Sequence, residues 1–133
     1  KVKVGTNYYY SLKAAITNAE PNATVTVLKD MDLTSSISIT KPLTIDGNNH
    51  TINSTGKYLF KIKDILNEDA VINIKNIKGT VNKVLYVSDS ILVKEINLEK
   101  MNITYKVDSI ISEGETVINQ TDVTIESETK EEE

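Results

Sequence analysis

The sequence predicts an all-β domain, a single-stranded parallel β-helix (β-solenoid) of about five rungs, closed at its N-terminal end by a short α-helix. Three observations lead there. The first is an internal repeat. Ile72-Asn73-Ile74 followed by Ile77, Ile96-Asn97-Leu98 followed by Met101 and Ile103, and Ile118-Asn119-Gln120 followed by Val123 and Ile125 share one pattern, at steps of 24 and 22 residues. A unit of that length with only short strands cannot bury its own apolar face, so copies must stack. The second is the strand signal. It has period two in runs of three to five residues joined by bends, with no long helices of the kind that wind an α/β sheet. The third is composition. Among 133 residues there are six Tyr, one Phe and no Trp. The core must therefore be Ile, Val and Leu, and β-branched chains pack well in files along stacked strands.

Each element follows from local chemistry. Residues 1–4 alternate, and Thr6, Asn7 and three tyrosines come next. Ser11 is a good N-cap. Leu12, Ala15, Ile16 and Ala19 recur at helical spacing, so a helix is expected over about 11–19, with Tyr10 packed on Ala15 as a hydrophobic staple. Pro21 disfavours helical geometry at Glu20 and ends it. This helix is expected to lie across the open end of the strand stack. Residues 24–28 read as a strand, 29–32 as a turn and 36–39 as the next strand. Lys41-Pro42 interrupts, because proline cannot donate to a central ladder. Residues 43–45 resume, and Asp46-Gly47-Asn48-Asn49 is a strong turn. Beyond Tyr58 the step of 24 sets Phe60 and Ile62 against Val84 and Tyr86, Asn73 against Asn97, and Thr80 against Thr104. The β-helix domain is expected over 1–127, with 128–133 an acidic polar tail or linker. No second cap follows the last repeat, so that rung would continue into another coil or self-associate with another chain.

The formal charge is −4 and the pI near 5.1, which argues against nucleic acid, since phosphate backbones need a basic face. Every strong cation is a lysine; without arginine there is no bidentate fork for carboxylates or phosphates. There is no cysteine, which excludes disulfides, thiolate metal sites and Cys nucleophiles. No run is long and apolar enough for a membrane-spanning helix. The chain opens at Lys1 without Met, as expected of a processed or excised piece whose signal peptide or anchor would lie outside it.

Residues 9–19, Tyr-Tyr-Ser-Leu-Lys-Ala-Ala-Ile-Thr-Asn-Ala, followed by Thr-Val-Thr-Val-Leu-Lys-Asp at 24–30, resemble the opening of pectate-lyase-like right-handed parallel β-helices. There a short helix of the type S-L-x-x-A-I-x-x-A caps the coil and leads into a T-V-x-L strand. Residues 41–52 are similar to the I-T-I-D-G-N-G-H-T-I turn of the same superfamily. The resemblance covers roughly residues 8–55 by motif and the rest by periodicity. It implies a right-handed coil. Its frequency in adhesin-like surface proteins implies a secreted or cell-surface bacterial location, with extracellular glycans or host proteins as partners. It does not choose an activity, because the fold carries lyases, hydrolases, phage depolymerases and non-catalytic adhesins alike.

A lyase of that superfamily would be expected to hold Ca²⁺ in clustered carboxylates and to use a basic residue, often arginine, which is missing here. Asp30 and Asp32 are the best acidic pair for a hard cation such as Ca²⁺, though turn residues are the commoner outcome of such spacing. A glycoside hydrolase needs carboxylates facing each other across a cleft. Asp64 and Asp89, 25 positions apart, would stack on neighbouring rungs, where mutual repulsion could mark a site. His50 is the sole histidine and has no triad or zinc partner in view. Asn73, Asn97 and Asn119 recur at matching positions and favour an amide ladder, on the surface if Ile72 and Ile74 point inward. Tyr58 and Tyr86 are candidate rings for stacking on sugars, with a place in the core the alternative for Tyr86 and Tyr105; Tyr8, Tyr9 and Tyr10 suit cap packing. The expected function is a non-catalytic cell-surface module, adhesin-like or a structural spacer, that contacts glycans and needs no cofactor. The alternative is a carbohydrate-active enzyme of the same fold.

Overall fold

The cap forms first in the chain. In the computed structural model, which describes residues 1–128, strand β1 (Val2–Val4) turns at Gly5 and pairs antiparallel with β2 (Asn7–Tyr9). The tail expected over 128–133 lies outside the described residues except for Glu128. Helix α1 (Leu12–Asn18) starts where expected: the Ser11 hydroxyl accepts the Ala14 N–H at 3.1 Å. Leu12, Ala15 and Ile16 are its buried face. Its C-terminal end is closed from a distance. The Lys41 ammonium donates to the carbonyls of Thr17 at 3.1 Å and Ala19 at 2.7 Å, supplying donors that the last turn lacks. Tyr10 is 91% exposed and Tyr8 66%, so the staple does not form, and only Tyr9 of the three packs against the core.

Beyond the cap, period-two alternation builds a coil with three sides. On the first, β3 (Thr24–Val27) pairs antiparallel with β1 and parallel with β6 (Thr44–Asp46). The stack continues through the opening segments of β9 (Val71–Val87), β10 (Glu95–Ser112) and β11 (Val117–Ser127). On the second, β4 (Met31–Leu33) pairs with β7 (Ile52–Ser54), and the Thr51–Lys78 bridge carries the stack onto β9. On the third, β5 (Ile37–Ile39), β8 (Phe60–Ile62) and the closing segments of β9 and β10 lie in parallel. The protein is an all-β β-solenoid of about four turns. About five rungs were expected and about four turns are present: four circuits join the parallel strands β3, β6, β9, β10 and β11 of the first side.

Aligned aliphatic files hold the coils together. Val25, Ile45, Ile74 and Leu98 register one above another, none more than 1% exposed. Ile72, Ile96 and Ile118 stack in the same way. Each fully buried aliphatic side chain contributes about 1.5–3 kcal/mol relative to exposure. The long strands pass from the first side to the second at a repeated corner, where Asn76 (φ 58°), Lys100 (φ 50°) and Asp122 (φ 55°) adopt left-handed backbone. That conformation comes most easily to Asn and Asp among non-glycine residues.

Two local expectations change. The turn expected over 29–32 is in part strand, since Met31–Leu33 is β4. Phe60 and Ile62 lie against Leu85 and Val87, one residue beyond Val84 and Tyr86. Val84 and Leu85 are both 1% exposed, so hydrophobicity could not choose between the two registers.

Candidate functional site

The register on the third side brings two tyrosines together. Lys61 on β8 lies opposite Tyr86 on β9. The same 25-residue step sets Tyr58 beside Lys83. The four residues mark a quadrilateral spanning two coils. Tyr58 and Tyr86 meet along one diagonal, ring centroids 5.1 Å apart and planes tilted by 34°, within the range of favourable aromatic pairs. Lysines surround them. The Lys83 and Lys57 ammonium groups each stand 5.4 Å from the Tyr58 ring, and that of Lys61 stands 5.8 Å from the Tyr86 ring. None of these three lysines is in an ion pair among the described residues. Tyr58 is buried and Tyr86 half-buried, so Tyr86 is the ring that meets solvent.

A carboxylate on the next coil fixes the Tyr86 hydroxyl, which donates to Glu113 Oε1. This bond, with burial and the negative charges of Glu113 and Asp89 around it, raises the phenol from its usual value of 10 to about 12. Tyr86 therefore stays a neutral donor across the physiological range. The outward file through it runs Ser38, Lys61, Tyr86, Ile111, a strip that passes from polar to apolar along the solenoid axis.

Asp64 and Asp89 follow β8 and β9 at equivalent bends, as their spacing implied, and both are exposed. The next coil has Gly114 there: a β-carbon on it would lie 3.1 Å from the Asp89 Cα. Asp89 contributes to the field at Tyr86; Asp64 is not brought to the tyrosine pair by any contact. Asp30 and Asp32 sit on the second side and hold the neighbouring coil. Asp30 Oδ1 accepts the Thr51 N–H at 2.9 Å and lies 3.2 Å from His50 Nδ1. The Thr51 bond first, then His50, holds its carboxyl below the usual range. Asp32 Oδ1 accepts from Asn53 Nδ2 at 3.4 Å. Both aspartates line a shallow groove of about 620 Å³ with Lys1, Tyr10, Thr51 and Asn53. Among the described residues no group of three or more His, Cys, Asp or Glu side chains converges on a metal-sized site.

The asparagine ladder is present and faces outward. Asn97 Nδ2 donates to Asn73 Oδ1 at 3.0 Å, and Asn119 Nδ2 to Asn97 Oδ1 at 2.9 Å. Asn73 Nδ2 extends it to the Thr44 hydroxyl at 3.3 Å. The lysines and Glu113 were missed from sequence. Their signal is the offset of 25 that puts Lys61 on Tyr86, legible only once the register of this side is known. Comparison with family models, with curated proteins and with solved structures finds no match to this chain.

Proposed function

We infer that this chain is a non-catalytic β-helix module of a secreted or cell-surface bacterial protein, an adhesin-like spacer whose third side contacts glycans. The single observation that carries the reading is the lysine-rimmed pair of Tyr58 and Tyr86. A half-buried tyrosine offers an apolar ring face for sugar C–H groups and a fixed hydroxyl beside it. The flanking ammonium groups add donors for hydroxyl or carboxylate oxygens without imposing one geometry. The rigid stack beneath holds these groups with little entropy left to lose on binding. The motif resemblance of residues 8–55 to pectate-lyase-like coils supports the extracellular setting.

The test is a glycan array followed by titration calorimetry on the best ligand. Binding should weaken at least about tenfold in Tyr86→Ala, equivalent to about 1.4 kcal/mol, and be unaffected by Tyr8→Ala, a change at an exposed ring on the cap. Equal affinity in the Tyr86 variant, or an empty array, overturns the reading. Incubation with oligogalacturonides and Ca²⁺, followed in the ultraviolet for unsaturated product, tests the non-catalytic part: turnover would make the module an enzyme.

A further inference from the structure

Strand β11 is the outermost coil among the described residues. Its inward positions are Ile118, Gln120, Val123 and Ile125, which register with Ile96, Leu98, Met101 and Ile103 of β10. Those four β10 side chains are at most 2% exposed. Ile118, Val123 and Ile125 are only half-buried, and Gln120 is exposed. Among the described residues β11 thus presents an apolar half-layer and a strand edge, over residues 117–126, with no further strand beside it. Such an edge is a template for another strand.

We propose that this edge pairs antiparallel with β11 of a second copy of the chain, about a two-fold axis that passes between Thr121 and Asp122 at the corner. The opposite end excludes head-to-tail stacking. It is covered by α1 and by strands of three residues, β1 and β2, which offer no match to the edge over residues 117–126. The corner makes β11 complementary to itself. Left-handed backbone at Asp122 interrupts the alternation, so two inward residues stand on each arm: Ile118 and Gln120 before it, Val123 and Ile125 after it. The two-fold sets Ile118 against Ile125 of the second copy, and Gln120 against Val123. Inward side chains then meet inward side chains along the whole strand, the condition that register must satisfy. An interface built from one patch on both copies is the usual form of a dimer.

The outward positions agree. Asn119 falls opposite Thr124, Val117 opposite Glu126, and Thr121 opposite Asp122, so within β11 no charge directly faces its like. Asn119 ends the amide ladder with its Nδ2 already donated to Asn97 and Glu95. Its Oδ1 is the acceptor for the Thr124 hydroxyl of the second copy. The two Gln120 amides stand near the axis, each with both donor and acceptor. The two Asp122 carboxylates also approach there, each sharing its corner groove with Lys100 of its own chain, whose charge offsets the repulsion.

The absence of cysteine makes the test clean. Asn119→Cys combined with Thr124→Cys should give a covalent dimer on mild oxidation. Asn97→Cys with Asn102→Cys, the same two positions one coil inward, should remain monomeric. Sedimentation equilibrium of the unmodified chain should show a reversible monomer–dimer equilibrium, weakened at least tenfold by Ile125→Lys with circular dichroism unchanged. Should that variant unfold, the cysteine pairs decide. A monomer at every concentration, an assembly larger than two, or equal cross-linking by both pairs would overturn the proposal.

Discussion

Tyr86 shows how a single side chain acquires its character from coils distant in sequence. Its hydroxyl meets Glu113, 27 positions away, and its ring meets Tyr58, 28 positions before. Neither neighbour has any local reason to be there; the solenoid period puts them side by side. Because the folded phenol is raised to about 12 from 10, its stabilising effect is fully present below the unfolded value and is lost as pH rises through the folded one. In an alkaline titration of tyrosinate absorbance, Tyr86 should therefore ionise near 12. Glu113→Gln should bring that phase down toward the ordinary range, and Tyr86→Phe should delete it. A late phase that survives Glu113→Gln would assign the shift to burial instead.

At the scale of elements, the crossings between sides demand more than hydrophobic alternation. On the second side β9 passes so close to β7 that a β-carbon on Gly79 would lie 1.9 Å from the Ile52 carbonyl oxygen, and Gly79 also holds φ at +154°. Gly5 needs positive φ too, at +59°, but has open space around it. Gly79→Ala should thus cost about 2–4 kcal/mol, against about 1–2 kcal/mol for Gly5→Ala. Urea unfolding at constant m-value measures both. Similar losses for the two variants would mean that the β7–β9 crossing relaxes. The asparagine ladder works at the same scale: it satisfies amides in one outward file from Thr44 to Asn119 and so locks the register that the aliphatic files leave slightly free.

For the whole molecule, the relevant physics is one-dimensional. Each coil is stabilised by its neighbours, so stability should follow the number of covered faces. The central strand β9 is covered by β6 and β8 below and by β10 above, whereas among the described residues β11 pairs with the strand β10 on one side. Hydrogen exchange should accordingly show the slowest amides in β9 and the first residues of β10, with β11 opening at much lower free energy. Dimerisation through β11 should raise its protection selectively at high concentration. Uniform protection across β9, β10 and β11 would argue for all-or-none unfolding of the stack.

The repeat Ile-Asn-Ile, the scarcity of aromatics and the capped helix at Ser11 were enough by themselves to determine a stacked coil with a lid, because burying an aliphatic face every 22–24 residues leaves the chain few other arrangements. The stacking of Ile72, Ile96 and Ile118, the outward ladder and the limits of α1 were all legible that way. The register of the third side was not, since Val84 and Leu85 are equally apolar and the coil there takes 25 residues instead of 24. Only the folded coil decided that Lys61 and Lys83 flank the tyrosines, that Lys41 closes α1, and that Asp30 binds Thr51 and His50. Those contacts join residues 20 or more positions apart, and a one-residue change in period redirects every one of them.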